Sequence, residues 1–227
     1  MDSIYGVIQI HNIKDNIKKI KNDLGNNTKL VAVSKFFPAE NILEALESGQ
    51  KIFGESKAQE LRNKYDVLKD KPIEWHFLGS IQTNKIKYIV PICDLIHSVH
   101  RLKEIKEINK RAKENNKIQK ILIEVNTSGE ESKSGISPEN IETLLENSKK
   151  YDSVKIIGFM TMAPLTEDEN IIRNTFRKLK NVKNDLSSKY DDLSELSMGM
   201  SNDYEIALEE GSTMVRLGSK IFGKRNY

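Results

Sequence analysis

The chain has 227 residues, 37% hydrophobic and 30% charged, enough apolar material for a sizeable core that needs no disulfide or metal staple. Its 36 basic and 33 acidic residues leave a net charge of +3 and are interleaved, as at Lys18 and Lys19 between Asp15 and Asp23, so no basic stripe points to nucleic acid. The single Cys93 excludes an intrachain disulfide, no run reaches the roughly 20 apolar residues of a membrane helix, and Met1 to Ile10 lacks the pattern of a secretory signal, which together predict a cytoplasmic protein without membrane contact.

In chain order, Ile10, Ile13, Ile17, Ile20 and Leu24 recur at three-and-four spacing and stop at Gly25, predicting an amphipathic N-terminal helix. A β-branched run follows at Leu30 to Lys35, then a helix that Pro38 begins and Gly49 ends. Further strand-like runs lie at Lys51 to Glu55, Glu74 to Gly79, Leu95 to Val99, Lys120 to Val125, Val154 to Thr161, Glu195 to Met200 and Thr213 to Gly218. Between them stand helical patterns at Ser56 to Leu68, at Arg101 to Asn115 and after Ser137-Pro138-Glu139. Thr166 with Glu169 reads as a capping box leading into Ile172, Phe176, Leu179, Val182 and Leu186. Eight strands alternating with helices, nearly continuous in apolar character, predict an α/β fold: a (β/α)8 TIM-type barrel with an extra N-terminal helix, formed as one domain over residues 1–227. A doubly wound open sheet is the rival architecture.

Chemistry in such a barrel gathers at strand C-termini, with phosphate held after strands seven and eight. Lys35 closes the first strand beside Phe36-Phe37-Pro38, and an ammonium in a partly dry setting loses its proton more readily and condenses with a carbonyl to a Schiff base. After strand seven, Gly199 permits a close turn, and Ser201 or Asn202 can cap a helix running to Gly211 whose first amides favour an anion. After strand eight, Gly218 and Ser219 offer a second small turn. Ser201 as a plain cap and Gly218-Ser219 as a plain strand exit are the blander alternatives, and Asp203 opposes an anion unless it points away. The two turns together with Lys35 favour a phosphate-bearing carbonyl compound. Arg216 stands two residues before Gly218 and so faces the same side. If the ligand is pyridoxal phosphate, a guanidinium, which only donates, faces an unprotonated ring nitrogen, a weaker electron sink than a pyridinium. The alternative for Arg216 is an ion pair with a nearby carboxylate.

The segments VAVSKFFP, FGESKAQEL, WHFLGSIQTNK, IEVNTSGEESKSGI, GFMTMAP and LSMGMSNDYEIALEEGSTMVRLGSKIFG, in this order over nearly the whole chain, resemble the pyridoxal phosphate homeostasis protein family. That family is similar to the N-terminal domain of alanine racemase. The resemblance implies pyridoxal 5'-phosphate as cofactor, with Lys35 as its Schiff-base lysine, Arg216 facing the pyridine nitrogen, and Met200, Ser201, Gly218 and Ser219 holding the phosphate. It also implies the barrel and a monomer. Ser56 stands where the family usually has Asn, a shorter side chain toward the cofactor ring, and Phe159 where relatives often have Leu.

His76, between Trp75 and Phe77, reads as a hydrogen-bonded core histidine or a pocket residue, and His97 and His100 lack metal-site spacing. Met160 and Met162 on one strand face could pack against a flat ring or fill the core, and Lys133 reads as part of a charged loop. Cys93, between Ile92 and Asp94, lacks a neighbour that would lower its pKa. Three functions are compatible with these residues. One is a non-catalytic carrier that holds pyridoxal phosphate, buffers its level and delivers it to apoenzymes. The second is an amino-acid racemase of low activity, which needs a proton-transfer group on each face of the carbanion; alanine racemase takes one of these from a second domain, and here the chain ends at Tyr227 just past the barrel. The third is a Schiff-base aldolase acting on a sugar phosphate.

Overall fold

The computed structural model describes residues 12–130 and 134–224; Ile10, Lys133 and Tyr227 lie outside them. Helix α1 (Ile13–Leu24) buries Ile13, Ile17, Ile20 and Leu24 along one stripe, each burial contributing roughly 1.5–3 kcal/mol. Asn12 caps it, its Oδ1 accepting from the Asp15 amide at 3.1 Å, and Gly25 at φ 64° ends it.

Strands β1 (Lys29–Val33), β2 (Ile52–Glu55), β3 (Glu74–Phe77), β4 (Leu95–Val99), β5 (Gln119–Glu124), β6 (Val154–Met160), β7 (Glu195–Ser197) and β8 (Met214–Leu217) pair in parallel in chain order. The last returns to the first, with Met214 opposite Lys29 and Arg216 opposite Val31, so the sheet is a closed barrel and not an open doubly wound sheet. Each strand begins within a residue of its apolar run. β7 ends earlier than expected because Met198 to Met200 already turn toward the site, with Gly199 at φ 96°.

Alternation along the strands divides the apolar residues in two. Phe53, Trp75, Phe77, Ile96, Ile121 and Phe159 face outward into a large core shared with Ile42, Leu61, Ile108, Phe176 and Leu179 of the helices. A second cluster of Val31, Leu95, Leu122, Met160 and Met214 fills part of the barrel interior. His76, His97, Ser197 and Arg216 are buried as well and supply polar contacts there.

The helical layer consists of α1, α2 (Ala39–Glu47), α3 (Ala58–Leu68), α4 (Ile86–Ile89), α5 (Leu102–Glu114), α6 (Ile141–Ser148), α7 (Glu169–Ser187), α8 (Tyr204–Glu209) and α9 (Ser219–Phe222) among the described residues. α4 and α9 are single turns, too short to leave a periodic signal in sequence. Two expected caps are displaced. Asp168, not Thr166, caps α7: its Oδ1 accepts from Asn170 N at 2.9 Å and Ile171 N at 3.4 Å, while Thr166 Oγ1 accepts from Asp168 N. A carboxylate satisfies both orphan amides and complements the helix dipole. α8 starts at Tyr204, so neither Ser201 nor Asn202 caps it.

Candidate functional site

At the C-terminal ends of β1, β2, β3, β6, β7 and β8 the chain encloses a cleft of about 350 Å³, within the range of small-molecule sites. Lys35, Ser56, Met200, Ser201, Arg216, Gly218 and Ser219 all line it, so the structure brings together every residue singled out from the sequence for this site.

A buried ionic network brackets Lys35. Lys64 Nζ from α3 donates to Ser34 O at 2.8 Å, Glu55 Oε1 at 2.6 Å and Glu60 Oε1 at 2.8 Å. Ser34 Oγ donates to Glu55 Oε1 at 2.7 Å, and the Phe36 amide donates to Glu60 Oε1 at 2.6 Å. The residues on either side of Lys35 are therefore fixed by hydrogen bonds, and Phe36 is held at φ 70°, a left-handed conformation rare for a bulky side chain. Burial pushes the Glu55 carboxyl above its usual range, with the Lys64 charge opposing. Ser56 continues from β2 beneath a close backbone contact: a Cβ on Gly79 would lie 1.9 Å from Ser56 O.

After β7, a Cβ on Gly199 would meet the Ala207 Cβ at 2.6 Å, and the Arg216 amide donates to Gly199 O at 3.0 Å, so this turn is seated directly on α8 and β8. Asp203 faces the cleft and does not point outward. Its Oδ1 accepts the Met200 amide at 2.5 Å, and burial raises its pKa while that amide and the Arg216 charge oppose the rise. After β8, Gly218 packs where a Cβ would stand 3.2 Å from Val33 O, and its own carbonyl accepts from the amides of Ile221 and Phe222, both at 2.9 Å.

Arg216 is 6% exposed. Its Nη1 donates to Ser197 Oγ at 2.6 Å and its Nη2 to Thr161 O at 2.9 Å. No carboxylate of the described residues lies within ion-pairing distance, so the salt-bridge alternative fails. Burial brings its pKa down to about 10, with Asp203 and Glu124 opposing, so it remains a cation at neutral pH.

Sequence reasoning missed several lining residues. Leu78, Ala163, Pro164, Leu165 and Thr166 complete the wall; all but Leu78 belong to the loop after β6, and Leu165 is 98% exposed at its edge. The strand ends at Met160, so Met162 lies in that loop and not on a shared strand face, although both methionines line the cleft. Glu124, deep at the end of β5, is pushed up to about 7 by burial, against the Arg216 charge, and sits 3.7 Å from His100 Nδ1. His76 is fully buried and hydrogen-bonded, the core histidine expected, and does not line the cleft. Cys93 is buried, with its thiol pushed up by desolvation.

Comparison with known proteins decides the family. A profile described as the alanine racemase N-terminal domain matches residues 8–226. A pyridoxal phosphate homeostasis protein of Aquifex aeolicus (strain VF5) is 46% identical over 203 residues, covering 89% of each chain. The chain belongs to the pyridoxal phosphate homeostasis protein family. A family member from Schizosaccharomyces pombe (strain 972 / ATCC 24843) is 34% identical over 228 residues, 99% of this chain and 94% of that one. PipY of Synechococcus elongatus PCC7942, solved with PLP bound, superposes with a TM-score of 0.87 at 32% identity, covering 93% of this chain and 100% of the other. An alanine racemase of Clostridium difficile 630 shares the fold, with a TM-score of 0.79 at 15% identity, 96% of this chain matching 58% of that one.

Proposed function

We propose that this chain binds pyridoxal 5'-phosphate, holds it covalently through Lys35 as a Schiff base, and serves its homeostasis or delivery without robust catalysis. The observation that carries this function is the convergence of Lys35, Arg216 and the turns after β7 and β8 on one cleft. The donor set suits the group: an amine for the aldehyde, hydroxyls of Ser201 and Ser219 for the phosphate, and Leu78 and Met160 for the flat ring. Bound there, the cofactor supplies an electrophilic carbon and a conjugated ring. The Lys35 nitrogen forms a C=N bond to that carbon with loss of water. Arg216, still cationic, donates toward the ring nitrogen and keeps it unprotonated, which limits carbanion stabilisation. Met200, whose amide donates to Asp203 Oδ1, borders the phosphate turn, and Ser56 stands beside the ring.

Among the described residues lining the cleft, the titratable side chains are Lys35, Asp203 and Arg216, and Asp203 is engaged by the Met200 amide. That set favours a carrier over a racemase, which requires proton transfer on two faces. No helix of the described residues is long and apolar enough to cross a membrane. We take the chain to be a single cofactor-binding domain, a cytoplasmic monomer whose recipients are pyridoxal-phosphate-dependent apoenzymes.

Absorbance spectroscopy with borohydride trapping tests this directly. The protein given pyridoxal phosphate turns yellow, borohydride fixes the cofactor on Lys35, and Lys35→Ala stays colourless. A wild type that remains colourless overturns the carrier and the racemase together and leaves the sugar-phosphate aldolase. Exchange of the alanine α-proton at ordinary enzyme rates would overturn the carrier in favour of the racemase.

A further inference from the structure

Beneath the cleft a line of side chains crosses the barrel. Arg216 Nη1 donates to Ser197 Oγ at 2.6 Å; Ser197 Oγ lies 3.0 Å from His97 Nδ1; His97 Nε2 lies 2.9 Å from His76 Nδ1; His76 Nε2 lies 3.0 Å from Glu74 Oε1. Ser197, His97 and His76 are fully buried, whereas the Glu74 side chain, at the start of β3 and so at the opposite end of the barrel, is half-exposed.

The two ends dictate where every proton sits. A guanidinium only donates, so Ser197 accepts from Arg216 and sends its own hydrogen to His97 Nδ1. His97 then carries its proton on Nε2 and donates to a bare His76 Nδ1, and His76 carries its proton on Nε2 and donates to the Glu74 carboxylate. The reverse direction would aim two hydrogens at the Ser197 oxygen and leave its own without an acceptor among the described residues. Burial, with the nearby Arg216 charge, holds His97 well below its usual pKa, in keeping with a neutral ring, and the hydrogen bond from His76 holds Glu74 below the usual carboxylate range.

We infer that Ser197, His97 and His76 are positioning residues: they form a one-directional hydrogen-bonded wire, terminated by Glu74, that fixes the Arg216 fork toward the cofactor ring. The role rests on the cofactor proposed above. Asp203 and Glu124 both attract Arg216 electrostatically, and the wire with Thr161 O occupies one N–H on each terminal nitrogen, so the guanidinium is kept from turning to either carboxylate. Polar chains of this kind hold a single geometry when every member is satisfied.

The test is nitrogen NMR of the 15N-histidine-labelled full chain, with and without pyridoxal phosphate, alongside Ser197→Ala. The expected result is that His76 and His97 are both neutral Nε2–H tautomers and that cofactor binding shifts the His97 Nδ1 resonance. In Ser197→Ala the shift disappears and cofactor affinity falls about tenfold, the effect of one lost charge-assisted hydrogen bond. The wild-type spectra decide the matter even if the variant does not fold. His97 as the Nδ1–H tautomer, or histidine resonances unmoved while borohydride fixes the cofactor to Lys35, would overturn the wire and leave the carrier standing. A chain that takes up no cofactor overturns the carrier and this role together.

Discussion

Glu60 on α3 accepts the amide proton of Phe36, the residue after Lys35, at 2.6 Å, and so holds Phe36 at φ 70°. A left-handed Phe costs about 1–2 kcal/mol and persists only while a partner enforces it. In Glu60→Ala, Phe36 relaxes and Lys35 loses its fixed direction. Cofactor affinity by equilibrium titration is expected to drop about tenfold. An unchanged affinity would show that the Lys35 turn holds without Glu60.

Asp203 is a buried negative charge at the turn proposed for phosphate. Asp203→Asn keeps an oxygen for the Met200 amide and removes the repulsion. Titration with pyridoxal phosphate is expected to show binding tighter by about tenfold, on the scale of one partly screened charge pair. Weaker binding would mean that the carboxylate supports the turn more than it opposes the anion.

Glu124 makes stability fall as pH rises. Its folded pKa is about 7 against an ordinary 4.5, so between those values the folded state holds a proton that the unfolded state has lost. The contribution is fully present below about pH 4.5 and lost as pH passes 7, amounting to about 3 kcal/mol. Thermal melts from pH 5 to 8 are expected to show a decline that is clearly shallower in Glu124→Gln. Parallel profiles for the two proteins would remove Glu124 as the source.

Gly158 in β6 has φ 154°, and a Cβ there would stand 2.0 Å from Glu195 O of β7. Gly158→Ala must therefore push two hydrogen-bonded strands apart, where the β5–β6 register already shifts. The expected loss is about 3 kcal/mol, or roughly 10 °C in Tm, read by calorimetry. A change under about 1 °C would show that the strands separate at little cost.

The strands and the site were legible because each rests on local signals: apolar runs give strands, and strand ends in a barrel give the address of the chemistry. Lys35, Arg216, Ser201 and Ser219 could thus be placed together from sequence. What stayed hidden depends on how separate elements meet. The pairing of His76 with His97 follows from the β3–β4 register, in which His76 stands opposite Leu95, and no spacing within the chain encodes it. The Asp203–Met200 contact likewise depends on where α8 begins, and cap positions shift by a residue or two whenever Asp, Asn, Ser and Thr compete nearby, as they do at Thr166 and Asp168.

The seam between β8 and β1 carries a consequence for biosynthesis. Lys35 emerges from the ribosome well before Arg216, Gly218 and Ser219, and only pairing of β8 with β1 sets them side by side. A nascent chain therefore carries its amine long before it carries the two turns opposite, so under the proposed function retention of the aldehyde would report that the barrel has closed.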